Sequence, residues 1–340
     1  MSFVLTLVFM VAALAVLVKA SDSTVNSAVR IARILGVSEL VIGLTIVAIG
    51  TSLPETVSAI FSALNGNGDL ILGNITGSNI SLLTLVLGVS LLMGQMTVSP
   101  RILKRDMAMM IFSMVLLVVV VTSSLFVSIL EGIMLLFIFI AFIEFIFMGL
   151  QEHKKEFGFS EFFEYLVRAR HLQSLAEKGA MLVSGKKKIF LFKKDLLKEG
   201  VLLALSIAFV VFSAEFLVKN AISLAEELGV STTLIGFILA LGTTLPELSV
   251  SISAVKVKKH NMLLGNIFGS CITNSLFVLG LAAIAREFFV STIVLRNSSM
   301  ALFLMTLIST LLLFKNTLSR KHGIMLLASY FLFLAIMVLM

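Results

Sequence analysis

Charge is what this 340-residue chain has least of: Asp, Glu, Lys and Arg make up 13% of it, against 59% apolar residues and a mean hydropathy of +1.12. Soluble domains carry about 25% charged residues, so lipid must solvate most of the chain. Cysteine is nearly absent too. Cys271 stands alone inside an apolar run, which excludes a disulfide framework and a cysteine zinc site and argues against redox chemistry. A persuasive nucleophile and base constellation is also missing, which ranks an intramembrane enzyme last among the readings.

What is present in abundance is long apolar runs. Ten are long enough to span about 30 Å of hydrocarbon, at roughly 2–18, 37–62, 70–95, 107–125, 132–150, 199–220, 230–254, 261–285, 296–314 and 323–340. Backbone in lipid must satisfy its own hydrogen bonds, and runs of this length without strict alternation do so as helices, not barrel strands. The expected fold class is an all-α integral membrane protein with ten transmembrane helices. The first run lacks a basic start, so it is expected as a span rather than a signal peptide. Asn74-Ile-Thr76 and Asn79-Ile-Ser81 match the glycosylation pattern, which carries no meaning inside a span.

The net charge of +7 raises the question of nucleic acid, but its distribution follows the membrane. With the amino terminus outside, Lys19, Arg30, Arg33, Arg101, Lys104, Arg105, Lys256, Lys258, Lys259, Lys315, Arg320 and Lys321 fall in cytoplasmic connections, joined by eleven basic residues between Lys154 and Lys198. That is 23 of the 26 Lys and Arg; only Lys219, Arg286 and Arg296 fall on the other side. The positive-inside rule places both termini outside the cell membrane and 151–198 in the cytoplasm, and leaves no nucleic-acid role.

The chain also repeats itself. Val41-Ile-Gly43 through Gly50-Thr-Ser-Leu-Pro-Glu55 recurs as Leu234-Ile-Gly236 through Gly242-Thr-Thr-Leu-Pro-Glu247, and Leu72-Gly-Asn-Ile-Thr-Gly-Ser78 recurs as Leu264-Gly-Asn-Ile-Phe-Gly-Ser270. Pro54 and Pro246 are 192 residues apart, as are Ser78 and Ser270. Upstream the offset is 193, so one residue is missing from the second copy between Gly236 and Gly242. Each copy holds five spans, an odd number, so the second must be inverted. The link Asn65-Gly-Asn-Gly-Asp69 has no Lys or Arg while its counterpart Lys256-Val-Lys-Lys-His260 is basic, as opposite sides require. The expected organisation is a first repeat at 1–150 with its motifs at 41–90, a connector at 151–198, and a second repeat at 199–340 with its motifs at 234–282.

Glu55 and Glu247 fall near the middle of spans, where an ionised carboxylate costs about 2.5–3.5 kcal/mol on insertion scales. No Lys or Arg lies in the surrounding spans at similar depth. A cation or a proton must compensate. Proline at 54 takes away the hydrogen bond to the Gly50 carbonyl and frees an oxygen. Thr51, Ser52 and Glu55 cluster on that turn, and Thr243, Thr244 and Glu247 repeat them; such oxygens form a hard-cation site. Neighbouring spans carry polar stripes at Asn74 and Ser78 and at Asn266, Ser270 and Asn274. Gly73, Gly77, Gly265 and Gly269 offer small surfaces for close helix contact.

These paired motifs resemble the internal repeats of the calcium/cation antiporter superfamily, in its sodium/calcium exchanger branch, and the resemblance covers essentially the whole chain. It implies a secondary antiporter exchanging Ca²⁺ against Na⁺ by alternating access, with no cofactor and not an enzyme. It implies ligand roles for Thr51, Ser52, Glu55 and Ser78 with the carbonyl of Ala48, and for Thr243, Thr244, Glu247 and Ser270 with the carbonyl of Ala240. The chain departs from the family four residues after each motif serine, where a polar or acidic side chain is usual and Leu82 and Asn274 stand. Two glutamates balance one Ca²⁺, two Na⁺ or two protons equally, so charge alone leaves open an H⁺-coupled antiporter of Ca²⁺ or another divalent cation, while the hydroxyl-rich motif resembles sodium-coupled members. A cation channel is the remote alternative. One copy suffices for such a site, and oligomeric state stays open.

Residues 151–198 mix basic residues with Phe157, Phe159, Phe162, Phe163 and Tyr165, and are expected as an amphipathic, lipid-touching connector. Glu144 is expected to snorkel toward the cytoplasmic end of its span.

Overall fold

The computed structural model describes residues 3–98, 102–151, 158–167, 194–227, 242–315 and 317–339. Among the described residues twelve helices order as α1 Phe3–Leu35, α2 Glu39–Thr51, α3 Leu53–Leu64, α4 Gly68–Met93, α5 Ile102–Met107 continuing as Ala108–Ser124, α6 Ile129–Gln151, α7 Phe159–Val167, α8 Lys194–Glu227, α9 Leu245–Lys256, α10 His260–Ala285, α11 Thr292–Leu313 and α12 Arg320–Leu339. Four two-residue strands, β1 Met96–Thr97, β2 Phe126–Val127, β3 Phe288–Phe289 and β4 Thr317–Leu318, pair antiparallel as β1 with β4 and β2 with β3. Among the described residues seven helices are long and apolar enough to cross a membrane, and α2 with α3 form an eighth span bent by 46°. The chain is a helical integral membrane protein. α9 is the described half of the run at 230–254, and α12 occupies the run at 323–340.

Burial separates two kinds of helix. In the most apolar stretches of α4 and α10, 83% of residues are buried, against 28% in α1, 33% in α8 and 22% in α11. Long apolar side chains such as Val11, Leu14, Leu130, Phe212 and Phe303 stay exposed on the outer helices, which suits hydrocarbon as the solvent. α4 and α10 therefore form the centre, and both contact α3. The polar residues of the repeated motifs lie at this centre, not on the lipid face.

The first helix corrects an expectation. The run at 2–18 continues without a break to Leu35, because no proline or glycine interrupts it before Gly36. Gly36, at φ +68, ends it, with Val37 N donating to Ala32 O at 2.9 Å, a left-handed stop that glycine favours. Lys19, Arg30 and Arg33 thus ride on α1 rather than on a separate loop. At 1.5 Å per residue this helix is about 50 Å long, as is α8, more than a bilayer core needs. The two pack along one another and are tied by Arg30 Nη1 to Glu199 Oε1 at 3.0 Å.

Arg105 also departs from its expected place in an aqueous connection. It is 5% exposed in the π-helical start of α5, with its Nε 2.7 Å from Asp106 Oδ1. In the connector, α7 packs one face on the bundle and leaves Phe163 exposed on the other. Phe162 and Tyr165 are buried, Phe162 stacks edgewise on Phe142 and Phe145, and Phe159 meets Phe112. Tyr165 Oη donates to Glu144 Oε2 at 3.4 Å, so Glu144 has a protein partner where snorkelling alone was expected. Residues 152–157 and 168–193 lie outside the described residues.

Candidate cation site

The site begins with a broken helix. α2 leaves regular geometry twice, first as a π-helical turn at Gly43–Val47 and then at Ser52, whose φ −81 and ψ 12 end it. α3 restarts at Leu53 with Pro54 in its first turn, where a missing N–H costs nothing because those donors have no helical acceptor anyway. Pro54 thereby leaves the Gly50 carbonyl without its usual donor. Ala48 O accepts from Ser52 N at 3.0 Å and Thr51 Oγ1 at 3.3 Å, and Thr51 Oγ1 also donates to Val47 O at 3.1 Å. In the second copy Thr244, at φ −93 and ψ 1, occupies the same break and Pro246 the same first turn. Ala240, and the place where the second copy lacks one residue, lie outside the described residues.

Both glutamates sit at the start of the second half-helix, α3 or α9, and both are 1% exposed. Thr51, Ser52, Ser78, Thr244, Ser270, Asn274 and Ala48 are buried with them, and Thr243 is half-buried. Glu55 Oε1 accepts from Ser78 Oγ at 3.2 Å. The Glu247 carboxylate faces the hydroxyls of Thr51 and Ser52 from the other copy and lies within electrostatic reach of Glu55. Glu55 Oε2, Glu247 Oε2, Asn266 Oδ1, Ser270 Oγ and Asn274 Oδ1 are buried without a hydrogen-bond partner. No described Lys or Arg pairs with either glutamate. Buried oxygens of one polarity, left unmatched together, are what a hard cation would satisfy. Among the described residues no three His, Cys, Asp or Glu gather, so the further donors are hydroxyl, amide and carbonyl oxygens.

Close helix contact brings these groups together. A Cβ on Gly265 would stand 2.5 Å from Leu40 O, one on Gly269 2.5 Å from Leu44 O, and one on Gly43 2.6 Å from Met262 O. α2 and α10 thus cross backbone to backbone through glycine alone. For Gly73 and Gly77, expected to act likewise on α4, no described atom lies within 4 Å. π-helical turns at Leu82–Val86 in α4 and Thr273–Val278 in α10 follow the two motif serines in both copies, and such turns are frequent at functional sites. Leu82 opens the first and is buried. A cavity of about 470 Å³ adjoins this region, lined by Leu53, Pro54, Phe212, Glu215, Thr243 and Pro246.

One participant escaped the sequence reading. Asn79, fully buried, bridges the copies, accepting from Asn274 Nδ2 at 3.2 Å and donating to Ser275 Oγ at 3.0 Å. Its signal was a polar residue beside the motif serine that the second copy replaces by Cys271.

A helical membrane protein with a broken-helix, oxygen-lined interior and paired carboxylates has the build of an ion transporter. The sodium/calcium exchanger protein family model matches residues 5–148 and 198–339. Sodium/calcium exchanger MaX1 of Methanosarcina acetivorans is 34% identical over 94% of this chain and 95% of its own length. Inner membrane protein YrbG of Escherichia coli is 28% identical over 96% and 95%. Among solved structures, the sodium-calcium exchanger NCX_Mj soaked with 2.5 mM Na⁺ and 1 mM Sr²⁺ superposes with a TM-score of 0.76 at 26% identity, covering 98% of this chain and 99% of that one. The chain belongs to the sodium/calcium exchanger protein family and is a membrane antiporter of that type.

Proposed function

We propose that the chain exchanges Ca²⁺ against Na⁺ by alternating access, at a midplane site between two inverted five-helix repeats, 1–150 and 199–340. Glu55 and Glu247 are its charged ligands. Thr51, Ser52, Ser78, Thr243, Thr244, Ser270 and Asn274 supply neutral oxygens, with the carbonyls of Ala48 and Ala240. The observation that carries this reading is the pair of buried glutamates, each with an unpartnered oxygen and no cationic side chain. One Ca²⁺ or two Na⁺ neutralise two carboxylates, so either load lowers the cost of carrying the site through the membrane interior.

Contacts between the copies support the inverted ten-span topology, with both termini outside and 151–198 in the cytoplasm. The contacts between described links at the ends of the spans join segments that this topology puts on one side. Glu39 meets Lys259 at 2.6 Å and β1 pairs with β4 on the cytoplasmic side; Arg286 reaches Leu64 O, Ser291 N reaches Asp69, and β2 pairs with β3 outside. Met96 of β1 and Phe288 of β3 are 192 residues apart, so equivalent strands lie on opposite faces, as inversion demands.

The test is radioactive calcium uptake into proteoliposomes under an imposed sodium gradient, with a proton gradient as the second arm. Uptake driven by sodium and abolished by its collapse is expected. Uptake that follows the proton gradient alone would overturn sodium coupling, and calcium flux with no second gradient would favour a channel.

A further inference from the structure

Asn79 stands one residue past Ser78 on α4 and is 0% exposed, yet the ligand set above does not use it. A carboxamide in so dry a place must be matched at both ends. Both matches lie across the repeat interface, in the π-helical turn of α10: Asn274 Nδ2 donates to Asn79 Oδ1, and Asn79 Nδ2 donates to Ser275 Oγ. The consequence falls on Asn274. An amide whose NH₂ end is held turns its carbonyl end away, and Asn274 Oδ1 is buried without a protein partner, four residues beyond Ser270, whose Oγ is likewise unpartnered. For a cation the orientation is decisive, because the oxygen attracts it and the NH₂ group repels it.

We infer that Asn79 is a positioning residue of the ion site, holding the NH₂ end of Asn274 so that Asn274 Oδ1 is presented as a neutral oxygen donor to Ca²⁺. This rests on the exchange reading above. Ser275 is the anchor of the chain, since a hydroxyl accepts as readily as it donates and completes the donor order Asn274 to Asn79 to Ser275. Cys271 is the repeat counterpart of Asn79 and is fully buried, so the fold already accommodates a cysteine at the equivalent place.

The test uses the full chain in liposomes, reading sodium-driven calcium uptake for the wild type, Asn79→Cys, Asn274→Asp and the double variant. Loss of an outer partner of an ion ligand weakens affinity roughly tenfold or more, so Asn79→Cys is expected to raise the KM for Ca²⁺ by about that factor with maximal rate retained. A carboxylate at 274 presents oxygen at both ends and needs no orientation. The double variant is therefore expected to return to the KM of Asn274→Asp alone, a rescue that a purely structural role for Asn79 would not give. An unchanged KM in Asn79→Cys, or a double variant as impaired as Asn79→Cys, overturns the inference and leaves the exchange reading standing. A wild type without sodium-driven uptake overturns both. Should Asn79→Cys misfold, Ser275→Ala unfastens the same chain from its far end; rescue by Asn274→Asp is again expected, and its failure overturns the inference.

Discussion

Replacing Gly269 by alanine perturbs the site without touching a proposed ligand. The new Cβ would lie 2.5 Å from Leu44 O and 2.7 Å from both Leu44 Cα and Ala48 Cβ. All three atoms belong to the α2 backbone or its stub, so no flexible side chain can swing aside. Ordinary contact requires about 3.5 Å, and α2 must retreat from α10 by roughly 1 Å. Overpacking of this kind costs about 1–3 kcal/mol. Part of it should appear as a lower thermal transition of the detergent-purified protein. The rest should appear in transport, because Ala48 moves with α2 and its carbonyl is a proposed ligand. If half of that energy is lost from ion binding, the KM for Ca²⁺ rises about two- to tenfold, at 1.4 kcal/mol per decade. Gly200→Ala is the control: no described atom lies within 4 Å of its new Cβ, and the change should stabilise α8 by about 0.4–1 kcal/mol with KM unaltered. A Gly269→Ala protein with wild-type melting and wild-type KM would refute the idea that glycine contact between α2 and α10 sets the site.

Three further outcomes follow from the geometry. Glu55→Gln and Glu247→Gln should each abolish sodium-driven calcium uptake while leaving expression and melting near wild type, since each removes charge but not volume; full transport by either would remove it as a ligand. Leu82→Asn restores a polar group at the repeat counterpart of Asn274 and should change the apparent affinity for Ca²⁺ or Na⁺, whereas lost stability of about 1–3 kcal/mol with unchanged kinetics would mark a buried polar group outside the site. In a Cys271→Ser background, Asn65→Cys should react with an impermeant thiol reagent on intact cells and Lys256→Cys only after permeabilisation; labelling of both from one side would contradict inversion.

The sequence announced most of the residues gathered in the candidate site and less of what surrounds it. Glu55 and Glu247 were legible because a carboxylate inside an apolar run has no cheap structural use. The break at Ser52 was legible because Pro54 forbids one hydrogen bond. Lys19, Arg30 and Arg33 misled because basic residues need not mark the end of a helix; α1 carries all three and runs on until Gly36 stops it. Phe159, Phe162 and Tyr165 misled for a related reason. Periodicity shows that one side of α7 is apolar, and it cannot tell lipid from the α5 and α6 surfaces that receive Phe159, Phe162 and Tyr165. Arg105 looked like a solvated connection residue because the burial of a charge beside Asp106 depends on helices distant in sequence.

Asn79 was hidden for a more instructive reason: repetition draws attention to what is alike, and this bridge depends on what differs. At the positions equivalent to Asn79 and Asn274 stand Cys271 and Leu82, 0% and 1% exposed and apolar in character. Each copy therefore contributes one carboxamide, from a place where the other copy has none, and the two meet across the interface at 3.2 Å. A second such bridge, with amides at 82 and 271, would leave a second carboxamide oxygen unmatched. The single bridge breaks the symmetry between the copies and leaves one neutral oxygen unmatched beside two carboxylates. The sequence repeat supplies two similar sets of side chains, and the exchange of polar for apolar residues at 79, 82, 271 and 274 makes the two halves of the candidate site inequivalent.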